Sequence, residues 1–282
     1  MASAPRPWQP AEIRSPIEAK PTGSSVLRVE TDQGEGFLKA MGAKCGPHVL
    51  ACELVGTLLA QRLRLRTLDF VLFDVPGDRN LRFADGRLVE PGPGFLTRAE
   101  KHQVWSGDMA DLDSLQNPED INRLIVFDTW TMNCDRYRPP NGATLRKNED
   151  NVFISKEASE RGRHVLKAMD HGCCFTCERD VTASELQRTM NDDRLFGLFP
   201  GFLSHTERDL LLGAATDAAA IERGEVENMI HRIPSQWQID DAARRIWCDW
   251  ICQRAKLVRR IIERKWPVPP LADLFSAEGE TR

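Results

Sequence analysis

Three short runs near the middle of the chain carry residue types suited to moving a phosphoryl group. They are Asn133-Cys134-Asp135-Arg136-Tyr137, Asn148-Glu149-Asp150-Asn151-Val152-Phe153-Ile154 and Ala168-Met169-Asp170-His171-Gly172. They offer a carboxylate beside an arginine, an Asx-rich turn entering an apolar strand, and a carboxylate at a strand end followed by glycine. A magnesium ion bound through one or two carboxylates and a substrate's phosphates needs oxygen ligands in near-octahedral array. Asn151 and Asp170 could supply them. Asp135 would then orient and deprotonate an attacking hydroxyl.

In order and setting these runs resemble the HipA-like kinases and, more distantly, the phosphoinositide lipid kinases. There an Asp-Arg pair, an Asn leading into a strand and an Asp-x-Gly after the next strand form the catalytic core. The resemblance implies an α+β, two-lobed protein-kinase-like fold with a β-rich N-terminal lobe carrying one helix and a mainly helical C-terminal lobe. It implies ATP and Mg²⁺ as cofactors and transfer of the γ-phosphoryl to a hydroxyl acceptor, with protein Ser/Thr favoured over a small molecule. It also leaves room for a regulatory protein partner. In protein kinases the catalytic Asp and the metal-binding Asn lie five positions apart, whereas Asp135 and Asn151 differ by sixteen (151 − 135). The added residues, Arg138-Pro139-Pro140-Asn141-Gly142-Ala143 and onward, have the composition of a surface loop. Loop closure costs entropy only logarithmically in length, so such an excursion is cheap. His171 departs from the Phe of most protein kinases and agrees better with the HipA-like pattern. No Ala-Pro-Glu follows to mark an activation segment.

The elements that must position these residues begin with short strands from Ile13. Pro21 to Ser25 reads as a turn, Val26 to Thr31 as a strand, Asp32 to Gly36 as a turn, and Phe37 to Ala40 as a strand. Strand alternation puts Phe37 and Lys39 on one face and Leu38 and Ala40 on the other. A lysine sharing an inward face with an aromatic suits an anion. By the resemblance, Lys39 holds the α- and β-phosphates, Phe37 lies near the base, and Gly23-Ser24-Ser25 covers the phosphates. Alone, a glycine beside two serines makes only a turn. His48 to Leu65 has helical apolar spacing with Glu53 in its middle, and the resemblance pairs Glu53 with Lys39. Leu68 to Val75 reads as a strand and Leu81 to Glu90 as a hairpin about Asp85-Gly86. Pro91-Gly92-Pro93-Gly94 breaks the pattern, with Phe95-Leu96-Thr97 as candidate adenine contacts.

Beyond it the chain turns helical. Asn117 as N-cap, Pro118 at the first helical position, and Glu119 and Asp120 near the dipole's positive end open a helix that is apolar on most sides. It delivers Asp135 at its far end. Val152 to Ile154 and Val165 to Met169 form an antiparallel hairpin that makes neighbours of Asn151 and Asp170. Ile239 to Trp266 is a long amphipathic helix whose basic residues, Arg244, Arg254 and Arg259 among them, read as a solvated face. The expected organisation is a tail at 1–12, a nucleotide-binding lobe at 13–91, a hinge at 92–100, a catalytic lobe at 101–270 and a frayed tail at 271–282.

Composition bounds the rest. The 282 residues are 41% hydrophobic and 28% charged with a formal charge of −4, which suits a globular protein and gives no reason to expect nucleic acid as ligand. No run approaches the length of a membrane span, and the first ten residues resemble neither a secretory signal nor an anchor. These features place the chain in the cytoplasm, with its eight cysteines mostly as thiols. Cys173, Cys174 and Cys177 cluster without a second pair at zinc spacing, so buried thiols are favoured over metal. Three alternatives to a kinase stand beside it: a kinase-shaped nucleotide-binding protein without turnover, a nucleotidyl transferase attaching AMP from the same pocket, and a metal-binding adaptor using the cysteines.

Overall fold

The structure is a computed structural model that describes residues 7–23, 25–78, 80–139, 146–160 and 163–266, with the side chains of 158–160 left aside. Ser24, residues 140–145 of the insertion and the segment from 267 onward lie outside the described residues.

The N-terminal part is one antiparallel sheet. Its strands are β1 (Ile13–Ala19), β2 (Leu27–Thr31), β3 (Gly34–Lys39), β4 (Phe70–Val75) and β5 (Gly92–Arg98), in the order β1-β2-β3-β5-β4. Strand alternation works as the residue pattern demands. Leu38 packs with Leu27, Val29 and Leu96 in a core on one face, while Phe37 and Lys39 face a cleft on the other. Between β3 and β4 runs α1 (His48–Arg62), buried continuously from Leu50 to Ala60. A helix apolar on every side must be enclosed, and this one wedges between the sheet and the helical remainder. At its C-terminus Arg64 takes the left-handed conformation (φ 61°) while Leu65 N–H returns to the Ala60 carbonyl.

One expectation for this half is corrected. The Pro91–Gly94 run does not break the pattern: Gly92–Arg98 is strand, paired to β4 from Gly92 to Thr97 and to β3 from Phe95 onward. Pro93 is tolerated because its carbonyl accepts from Trp237 Nε1 at 2.8 Å rather than from β4, so its nitrogen also faces the side on which the strand has no partner there and no donor is missed. The backbone of Phe95 to Thr97 is thus engaged by its neighbours, and the link out of the sheet is Ala99–Lys101. The expected hairpin at Leu81–Glu90 is short: it keeps its Asp85-Gly86 turn, with Gly86 at φ 84°, and around the bridge between Arg82 and Leu88 the Phe83 N–H donates to the Arg87 carbonyl and the Val89 N–H to the Leu81 carbonyl, each at 2.9 Å.

The second part opens with β6 (His102–Val104), α2 (Met109–Asp113) and α3 (Asp120–Thr131). There follow a two-strand ribbon, β7 (Tyr137–Arg138) with β8 (Arg146–Lys147), and the hairpin β9 (Phe153–Glu160) with β10 (Arg163–Lys167). β6 joins β9 to make a three-stranded sheet. Helices α4 (Ala183–Thr189), α5 (Arg208–Ala219), α6 (Arg223–His231) and α7 (Asp241–Lys265) complete the chain.

The reading of Asn117 as a helix cap is corrected as well. Its side-chain amide instead pairs with both backbone groups of Leu166, each at 3.0 Å, tying α3 to β10. Arg254 is likewise not on a solvated face but fully buried against the end of α3. It donates to the carbonyls of Trp130 (2.8 Å), Thr129 (2.6 Å) and Asp192 (2.6 Å). Helix ends leave carbonyls without intrahelical partners, and here a guanidinium from α7 satisfies two of them. No helix among the described residues is long and apolar enough to cross a membrane.

Candidate active site

The site begins where α3 ends. Met132 turns left-handed (φ 54°) and Asn133 N–H closes on the Asp128 carbonyl at 2.9 Å, which stops the helix and aims the next residues at the β9–β10 hairpin. Asp128, on the buried face of α3, meets Arg136 Nε at 2.8 Å and Asn133 Nδ2 at 3.1 Å. Both members of this ion pair have zero exposure. Burial raises the Asp128 carboxyl to about 6, with Arg136 and Asn133 pulling against it.

Arg136 then spends its remaining donors on the site. One terminal nitrogen bonds the carbonyl of Asn151 and the other that of Met169, at 3.3 Å. The residue after the candidate base thereby pins the backbones that carry both candidate metal ligands. Asp135 itself accepts from Asn151 Nδ2 at 2.8 Å on one oxygen and from Arg146 on the other. With its Nδ2 committed to Asp135, the Asn151 amide is oriented and keeps its oxygen as a ligand.

Across the cleft, Lys39 sits between two carboxylates. It pairs with Glu53 from α1 and with Asp170 at 2.8 Å. Burial alone would lower the Lys39 pKa, but Asp170 and Glu53 outweigh it and raise it, so the ammonium is fixed as a charge. Burial also acts to raise Asp170, and Lys39 overcomes it, holding that carboxyl below its ordinary value. Glu53 is almost fully buried and takes two backbone donors, His171 N–H at 3.1 Å and Gly172 N–H at 3.0 Å. One helix glutamate thus fixes the strand lysine and the segment after Asp170 together. Asp170 is left-handed (φ 56°), a conformation Asp tolerates better than most residues. A bridge from Thr67 to Ala168 ties this strand end back to the N-terminal part.

His171 is buried, its Nδ1 3.1 Å from Thr57 Oγ1 and its ring edge-on to Phe127. Burial and the Arg136 charge push it down to about 3, so it is a neutral packing residue. It lies so close to α1 that a Cβ on Gly56 would fall 2.5 Å from the His171 Cβ.

The cleft between the two halves has a volume of about 330 Å³ and is lined by Phe37, Lys39, Glu53, Asn151, Phe153 and Asp170 among others. Phe95 and Thr97 line it, and Glu100 of the link and His102 of β6 form part of its wall. Glu100 is locked by Lys167 and Ser155, each at 2.6 Å. Of the expected phosphate-covering turn, Gly23 and Ser25 lie at the β1–β2 tip and do not line the cleft, and Ser24 is outside the described residues. Lys20, Thr22 and Val26 line it instead, with the Lys20 ammonium 4.9 Å from the Phe37 ring centre.

The three clustered cysteines do not converge on a metal position. The eight cysteines are free thiols, and the one group of possible ligands among the described residues joins Cys173 to Asp135 and Glu178.

Sequence reasoning missed the reach of Arg136, the cleft positions of Lys20, Thr22 and Glu100, and the contact from Arg146 to Asp135. For Arg136 a signal existed: Asp128 lies on an otherwise apolar helix, and a buried carboxylate requires a cationic partner.

A sheet with one helix set over a mainly helical part, with a lysine–glutamate pair, an Asp and an Asn lining one cleft and a further Asp hydrogen-bonded to that Asn, defines a kinase-like protein. The family model described as HipA-like kinase matches residues 29–265, and the chain belongs to that family. Among solved structures it is similar to a Helicobacter pylori proinflammatory kinase, CtkA. That match has a TM-score of 0.54 at 10% identity and covers 90% of this chain and 96% of that one. No individually curated protein matches it in sequence.

Proposed function

We propose that this protein is an ATP- and Mg²⁺-dependent phosphotransferase that moves the γ-phosphoryl of ATP to a hydroxyl, with protein Ser/Thr as the favoured acceptor. The observation that carries this reading is Lys39 held between Glu53 and Asp170 on the wall of a cleft that Asn151 also lines. A lysine so fixed is a preformed cation for nucleotide phosphates, and its partners keep it in place when the cleft is filled.

The donor set fits magnesium: Asp170 offers carboxylate oxygen and Asn151 an oriented amide oxygen, both hard ligands. Bound there with ATP, the ion would neutralise charge on the phosphate oxygens. Asp135 receives the acceptor hydroxyl and takes its proton. Arg136 holds the backbones of both ligand residues, and Glu53 keeps Lys39 and the Asp170 segment in register. Positioning and electrostatics supply most of the rate in this chemistry, and the buried pairs beneath the cleft are suited to that demand.

Incubation of the full chain with labelled ATP and magnesium, followed by mapping of any modified residue, tests the reading. Phosphate on Ser or Thr, lost in Asp135→Ala by a factor of about 10² to 10⁴, is the expected result. An AMP adduct by intact mass would redirect it to nucleotidyl transfer. ATP binding without any modification or hydrolysis would reduce it to nucleotide binding.

A further inference from the structure

Arg146 stands out because it lies in the insertion that separates this chain from the short catalytic loop of protein kinases. Its guanidinium nonetheless reaches back to the carboxylate of Asp135 and, with its other terminal nitrogen, to Glu178. Its backbone is well placed: Arg146 pairs with Arg138 and Lys147 with Tyr137, and Asn148 N–H donates to the Arg136 carbonyl at 2.9 Å. The ribbon is therefore rooted beside the most deeply anchored residue of the site. The side chain is free by comparison, with Arg146 39% and Glu178 45% exposed. Ion pairs so exposed contribute little to stability and exchange partners readily.

We propose that Arg146 is a catalytic residue that donates to the transferring phosphoryl group. This rests on the phosphotransfer reading and deepens it. Asp135 has Asn151 on one oxygen and Arg146 on the other, so an acceptor hydroxyl bound to that carboxylate arrives between the amide and the guanidinium. Such a hydroxyl lies about 2.7 Å from the carboxylate oxygen, and the phosphorus it attacks lies about 3 Å beyond. A guanidinium already touching the carboxylate holds its fork of donors beside the place where the hydroxyl must meet the phosphoryl group. In the transfer the hydroxyl oxygen forms a bond to the γ-phosphorus and the bond to the β–γ bridging oxygen breaks. The hydroxyl proton passes to Asp135, and ADP leaves with the bonding pair. Charge spreads over the equatorial oxygens during this step, where an arginine is worth most. Glu178 parks the side chain when those oxygens are absent.

The test uses the full chain, its Arg146→Ala and Arg146→Lys variants, and calorimetry with ADP, magnesium and aluminium fluoride as a mimic of the transferring group. The wild type is expected to bind ADP more tightly with fluoride than without. Arg146→Ala should keep its ADP affinity but lose about tenfold or more of that gain, with Arg146→Lys between them. Single-turnover transfer should fall about a hundredfold in Arg146→Ala. An alanine variant that keeps the full gain, or transfers as fast as the wild type or faster, overturns the assignment and makes Arg146 a cover over Asp135. A wild type that binds no ADP overturns the nucleotide reading itself, a result distinct from unchanged behaviour in Arg146→Ala alone.

Discussion

Replacing Arg136 with methionine keeps the aliphatic stem and removes the charge. In the native protein the guanidinium is fully enclosed, 2.8 Å from Asp128, and serves the carbonyls of Asn151 and Met169. Removing one partner of a buried ion pair strands the other, at a cost of about 3–5 kcal/mol. Asp128 can escape part of this by taking a proton, because burial already holds it at about 6 and losing Arg136 raises it further. The sign follows from linkage: a carboxyl whose folded pKa lies above its unfolded value destabilises when ionised, and that penalty is relieved as pH falls through the folded pKa. The deficit of Arg136→Met should therefore grow as pH rises above 6, by at most about 1.4 kcal/mol per unit. Asp128→Asn in the same protein removes the stranded carboxyl and leaves only the two carbonyls without a donor, at about 1–3 kcal/mol each. Urea unfolding of wild type, both single variants and the double variant at pH 5.5 and 8 measures each of these. An Arg136→Met protein within about 1 kcal/mol of wild type, or a double variant less stable than either single one, would show that Asp128 does not depend on Arg136.

Other consequences are as direct. Asp170→Asn should leave the fold intact, since the residue is part-exposed, yet abolish the magnesium dependence of nucleotide affinity, read by calorimetry with and without the ion. Gly56→Ala places a methyl 2.5 Å from His171 Cβ and should cost about 1–3 kcal/mol by overpacking. It should also weaken ATP binding, because the displaced His171–Gly172 backbone donates to Glu53. Arg254→Met leaves the carbonyls at the end of α3 without their donor and should destabilise the protein by about 1–3 kcal/mol for each, measured by urea unfolding, without altering any group that lines the cleft.

The parts of this fold that were legible in the sequence are those governed by local periodicity. Alternation in Phe37-Leu38-Lys39 fixed which side chain faces the cleft, and the apolar runs around Ile154 and Val165 fixed the hairpin that makes neighbours of Asn151 and Asp170. Position within a sheet was not legible. Pro91 to Gly94 has the composition of a break, yet enters a strand, because whether a proline misses a donor depends on which neighbours exist at that point. Long charged side chains were illegible for a similar reason. Arg254 looks like any surface arginine in sequence, and only the carbonyls that the end of a helix presents to it decide that it is inside, whereas Arg136 is betrayed by the carboxylate of Asp128 on its apolar helix.

The same distinction accounts for the long separation between Asp135 and Asn151. A catalytic constellation does not require its residues to be close in sequence, only that the backbones carrying them be fixed to one another. Here that fixing does not pass through the inserted residues. Arg136 bonds the Asn151 carbonyl through its side chain, and its own carbonyl receives Asn148 N–H at 2.9 Å. The two ends of the excursion are therefore joined at its base, on both sides of the residue that Asp128 buries. What happens between them costs only closure entropy, which rises slowly with length. An insertion at this place can vary while the site beneath stays put, and from it a further side chain, Arg146, reaches the base without disturbing the residues that hold the base in place.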